Sequence, residues 1–108
     1  PKIASQKVLQ GLEDYLNISP GEATHLVGWN PSRKSRNTTL DRDALDRAYA
    51  ALEIYERVQN YLGDNAAAWL REPSPPLEGR RPIDLLETRV GYRELSDLLD
   101  AIESGNYL

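Results

Sequence analysis

Apolar side chains in this chain recur in steps of three and four from end to end, and no stretch alternates apolar with polar at every second residue. The first pattern lines one face of a helix, whereas the second is what a half-buried strand requires. Val and Ile are sparse, so strands lack their favoured residue types as well as their pattern. The chain is therefore read as all-α. Its longest helix is expected to start near Asp41 and end at Leu62-Gly63. There Ala44, Ala48, Ala51, Tyr55, Val58 and Leu62 alternate steps of four and three, with Leu45, Tyr49 and Leu52 on an adjoining stripe. Such a wide apolar face belongs to a central helix contacted from more than one side.

Shorter elements are marked by their ends. Val8, Leu9, Leu12 and Leu16 share one stripe, with Asn17 as the stop. Ser19-Pro20-Gly21-Glu22 opens a second helix, with Ser19 as N-cap and Glu22 completing a capping box. That helix should run to about Val27 and break at Gly28, with Asn30-Pro31 restarting the chain. Gly63 should stop the long helix and Asp64 cap a shorter one through Trp69-Leu70. Pro73, Pro75, Pro76 and Gly79 form the one clear irregular stretch. Pro82 then opens a short turn with Asp84, Leu85 and Leu86, and a last helix carries Leu95, Leu98, Leu99 and Ile102 before Gly105. A chain of 108 residues has room for one cooperative core, and two functional segments are expected within it, residues 1–62 and 63–108.

The residues that do chemistry are in short supply. There is one histidine, His25, on a short helix, and no cysteine. A thiolate metal site and a disulfide are thus impossible, and a reducing cytoplasm fits. Asp41 and Asp43, or Glu13 and Asp14, lie too close in sequence to converge from a helix. The seven glycines are scattered, so no phosphate-binding loop exists. We expect no catalytic residue, no metal and no cofactor. Nothing approaches the roughly 20 apolar residues of a membrane span, and the mixed-charge N-terminus is unlike a signal peptide. The missing initiator Met is expected from a trimmed start. Net charge is −4, but it is unevenly spread. Between Pro31 and Arg42, Arg33, Lys34, Arg36 and Arg42 face only Asp41, whereas beyond Pro82 six carboxylates face Arg89 and Arg93.

The segment AAAWLREPSPPLEGRRPIDLLETRVGYRELSDLLDAIESG, Ala66 to Gly105, carries an ordered set of positions: Trp69-Leu70, Pro73, Leu77-x-Gly79-x-x-Pro82, Leu85-Leu86, Thr88, Gly91 and Gly105. This set resembles the toxin-binding domain of the Xre/MbcA/ParS antitoxin family. The residues before it resemble, more loosely, that family's helix-turn-helix region and long connecting helix. The resemblance implies a RES-domain toxin as partner, an enzyme that consumes NAD or uses it for ADP-ribosylation. It also implies occlusion of that toxin's active site, binding of the chain's own operator DNA, and a homodimer or larger toxin–antitoxin assembly.

Trp69, Leu77, Leu85, Leu86, Leu95, Leu99 and Ile102 suit a small helical core with or without a partner. The residues such a core does not require are the expected toxin contacts: Arg80, Arg81, Arg89, Tyr92, Arg93 and the tail Asn106-Tyr107-Leu108. Tyr and Arg are enriched where interfaces concentrate their binding energy. For DNA, Arg33, Lys34 and Arg36 would hold phosphates, with Ser35 and Asn37 as base-edge donors. If Gly28 is the turn glycine, Lys34 falls where the family carries an apolar residue, which departs from a regular recognition helix. A transcription regulator acting mainly on DNA is the alternative function.

Overall fold

The structure, a computed structural model, describes residues 5–29 and 41–105, and all regular structure among them is helical. In order come α1 (Ser5–Leu16), α2 (Pro20–Val27), α3 (Arg42–Leu62), α4 (Ala66–Arg71), α5 (Pro82–Leu85) and α6 (Arg89–Glu103). The expected all-α class and long central helix are both present. A helix-turn-helix was expected to include the residues that follow Trp29. That stretch lies outside the described residues.

Local signals account for most of the helix ends. Asn17 closes α1 with φ 55°. Ser19 Oγ accepts from Glu22 N at 3.1 Å while Ser19 N donates to Glu22 Oε1 at 3.0 Å, the reciprocal capping box expected there. The donated backbone bond holds the Glu22 carboxyl below its usual range. Gly28 ends α2 at φ 70°, a conformation that only glycine adopts at little cost. Asp41 caps α3 by accepting from Ala44 N at 2.8 Å. Asp64, in contrast, caps nothing. It lies in a tight helical turn, Gly63–Asn65, and Asn65 is already helical at φ −86° and ψ −1°, so no extended residue precedes α4 to serve as its N-cap.

Helix α3 is the hub, packed by α1, α2, α4 and α6. It buries Ala44, Ala48, Ala51, Ile54 and Val58. The expected stripe contained Tyr55 instead of Ile54. Tyr55 sits at the margin, its ring 5.6 Å from that of Tyr15, where a phenol can be half buried and still keep its hydroxyl near water. Leu62, at the end of α3, is 37% exposed. One apolar cluster runs from Leu9 through Leu12, Leu16 and α3 to Leu70, Leu77, Leu95 and Leu99. Trp69 packs its ring against this cluster but is only partly buried.

The proline-rich stretch is closed on itself. Ser74 N donates to Arg80 O at 3.0 Å and Gly79 N to Ser74 O at 2.9 Å, while Leu77 plugs into the core. Thr88 caps α6 by accepting from Gly91 N at 3.0 Å. Gly91 in turn lies flat against α5: a Cβ built on it would stand 2.1 Å from the Leu85 carbonyl oxygen. This contact sets how closely α6 approaches the rest of the fold.

Candidate functional site

Helices α3 and α6 are joined by a polar seam. The Tyr92 hydroxyl donates to Glu53 Oε1 at 2.7 Å. One turn on, Arg57 reaches across to Ser96 Oγ at 3.1 Å, Asp100 Oδ1 at 2.7 Å and Glu103 Oε2 at 3.1 Å. Partners advance together along both helices, so the two run in the same direction. The carboxylate of Glu53 pushes the Tyr92 phenol up, and the hydrogen bond to Glu103 raises Arg57 above its usual value.

Ahead of Glu53, no hydrogen bond joins the two helices among the described residues, and they part to leave a groove of about 960 Å³. Asp43, Asp46, Tyr49 and Glu53 line the α3 wall, and Arg89, Tyr92, Arg93 and Asp97 the α6 wall. Three expected contact residues, Arg89, Tyr92 and Arg93, therefore come together in one concavity. Arg47 also lines it, with its guanidinium over the C-terminal end of α2, where a Cβ on Gly28 would meet Nη1 at 2.5 Å.

Arg80 and Arg81 lie elsewhere and have partners within the chain. Arg80 forms a two-pronged pair with Glu94, which does not line the groove, and its Nε donates to Leu77 O at 2.8 Å. This bond to Arg80 holds the Glu94 carboxyl low. Arg81 grips Asp84 through Nε at 3.0 Å and Nη2 at 2.8 Å. His25 is exposed, with Nε2 3.2 Å from Glu87 Oε1. Residues Arg33, Lys34, Ser35, Arg36 and Asn37, like Asn106, Tyr107 and Leu108, lie outside the described residues.

Residues 57–105 match the family model of the antitoxin Xre/MbcA/ParS C-terminal toxin-binding domain. The resemblance read from the motif holds. This segment is similar to the Xre/MbcA/ParS toxin-binding domain. The first matched residue is Arg57, so the matched segment contains the α6 side of the seam, while the α3 wall of the groove precedes it. A Sphingobium sp. (strain YBL2) protein named Prs ADP-ribosylating antitoxin is 46% identical over 41 residues, which are 38% of this chain and 26% of that protein. The chain thus spans about a quarter of the length of the curated relative it matches. One chain of the M. tuberculosis MbcT–MbcA toxin–antitoxin complex has the same fold, with a TM-score of 0.62 at 22% identity over 94% of this chain and 96% of that one.

Sequence reasoning weighed Asp43 only as a partner for Asp41, and passed over Glu53, Arg57 and Asp46. A helical wheel of α3 opposes them to the alanine stripe, which is a signal of exposure. Nothing local pairs Arg57 with residues 39 to 46 positions away.

Proposed function

We propose that this chain is the antitoxin of a type II toxin–antitoxin system, a non-enzymatic protein that binds a RES-domain toxin and closes its NAD-dependent active site. The match of residues 57–105 to a toxin-binding domain carries this reading. The relative whose name joins antitoxin to ADP-ribosylation supports a partner of that chemistry. Arg89, Tyr92 and Arg93 suit such a role because they share one concavity and the two guanidinium groups there are exposed. The site of action is the cytoplasm, and no helix among the described residues is long and apolar enough to cross a membrane.

Co-expression with the neighbouring RES-type gene product should restore growth, and the two proteins should co-purify as one complex. Rescue without a stable complex would overturn neutralisation by contact. Operator binding is a second activity, supported by the cations of residues 31–42. Arg33, Lys34 and Arg36 changed together to Ala should weaken promoter binding and its salt dependence while neutralisation persists. We place the assembly as a homodimer or a larger toxin–antitoxin complex, checked by light scattering.

A further inference from the structure

The charges of α6 run against its dipole. Arg89 is its first residue and Arg93 follows one turn later, with no carboxylate in the first turn, while Asp97, Asp100 and Glu103 crowd the other end. A helix dipole favours the opposite order. At the acidic end the reason is visible, because Asp100 and Glu103 answer Arg57. Arg89 and Arg93 are exposed, and none of the ion pairs among the described residues includes them. They face, across the groove, the exposed carboxylates of Asp43 and Asp46 on α3. The groove thus sets Arg89 and Arg93 on α6, with Asp97 a turn beyond, against Asp43, Asp46 and Glu53 on α3, with Arg47 among them, and Tyr49 on its rim is 52% exposed. From Asp43 to Glu53 the α3 wall extends about 15 Å, nearly three helical turns. An occupant of matching length and charge is a helical segment laid along the groove.

We propose that the α3–α6 groove docks a segment of the toxin that turns acidic side chains to Arg89 and Arg93 and basic side chains to Asp43 and Asp46. The part of the connecting helix that precedes the matched residues 57–105 then helps select which toxin is bound. This inference rests on the toxin-binding reading, and the test separates the two. The full chain is titrated against the toxin encoded beside it, first as wild type, then as the Arg89→Glu/Arg93→Glu double variant and as Asp46→Lys. Glu56→Lys, an exposed change on α3 outside the groove lining, is the control. The double variant puts carboxylates where the dipole favours them, so its fold is not at risk, and thermal melting verifies this. We expect it to weaken toxin binding roughly 100-fold, mostly through like-charge contact, with Asp46→Lys also weakened and Glu56→Lys unchanged. No binding by the wild type would refute the toxin reading itself. Wild-type binding with both groove variants within twofold of it would refute the groove alone. So would a change confined to self-association, which would make the groove a contact between two copies.

Discussion

Replacing Gly91 with alanine should destabilise the protein, against the ordinary rule for glycine in a helix. Alanine is favoured over glycine in a helix interior by about 0.8–1.0 kcal/mol. Gly11 in α1 obeys the rule, because a Cβ there meets nothing within 4 Å, and Gly11→Ala should gain most of that amount. At Gly91 the new Cβ would stand 2.1 Å from the Leu85 oxygen, 2.8 Å from its carbonyl carbon and 2.9 Å from its Cα. All three atoms are backbone, so no rotamer change relieves the clash. Helix α6 would have to retreat by roughly 1 Å or more to reach normal contact distances. Leu95 and Leu99, both buried, would move with it. Overpacking against side chains costs about 1–3 kcal/mol, and against backbone it lies at the upper end or beyond. After the propensity gain, Gly91→Ala should lose about 2 kcal/mol, near 10 °C in melting temperature for a domain of this size. Urea unfolding followed by the fluorescence of Trp29 and Trp69, both packed against the core, measures the two variants side by side. A midpoint for Gly91→Ala equal to or above the wild type would refute the close-approach argument.

Arg57→Ala should cost about 1–3 kcal/mol in the same assay, since three partners on α6 lose a charged donor. Arg57→Lys, with a single ammonium in place of a planar fork, should recover less than half of it. Glu22 is held below its usual value, so its contribution is complete above the ordinary carboxylate value of about 4.3 and is lost as pH falls through the folded value. Glu22→Gln should therefore flatten the acid limb of the stability profile. Tyr92 is pushed up, so its contribution is complete below about pH 10 and fades as pH rises through the folded value, and Tyr92→Phe should remove that alkaline dependence. Deleting Asn106 to Leu108 should leave melting nearly unchanged and restore much of the toxin's NAD consumption in the complex. Full inhibition by the shortened chain would exclude the tail as the segment that closes the toxin's active site.

What the sequence disclosed was whatever is decided within one helical turn. The Ser19–Glu22 box and the glycine stops at Gly28, Gly63 and Gly105 depend on three or four consecutive residues, and all took the expected form. Asp64 misled because Asn65, the residue that precedes α4, is already helical, so no extended residue stands at the N-cap position. Tyr55 and Ile54 both fit the stripe, and only the position of Tyr15 on α1 decides between them. Arg80 and Arg81 have intrachain partners at Glu94 and Asp84, a pairing that composition cannot reveal. Arg89, Tyr92 and Arg93 could be picked out as residues a core does not need, but not the wall they face, since that wall lies some forty residues earlier in the chain.

That wall is held in place by its opposite face. Ala44, Ala48 and Ala51 are each at most 1% exposed, and small side chains of this kind permit close approach of the helices packed on α3, α1 and α2 among them. The second half carries larger Ile54 and Val58, and there Glu53 and Arg57 tie α3 to α6. Turning α3 by one residue would rotate it about 100°, bring Asp43 or Arg47 into the space of an alanine and require burial of a charge. The register of α3 is thereby fixed along its whole length. Asp43 and Asp46 face Arg89 and Arg93 because a stripe of alanines on the far side leaves them no other orientation. Gly91 completes the arrangement from the other wall, where the lack of a Cβ lets α6 press against α5 and so fixes where its two arginines begin. The polar groove is thus positioned by residues that have no polar side chain, and its geometry should be more sensitive to changes in size at Ala48 or Gly91 than to changes of charge along its rim.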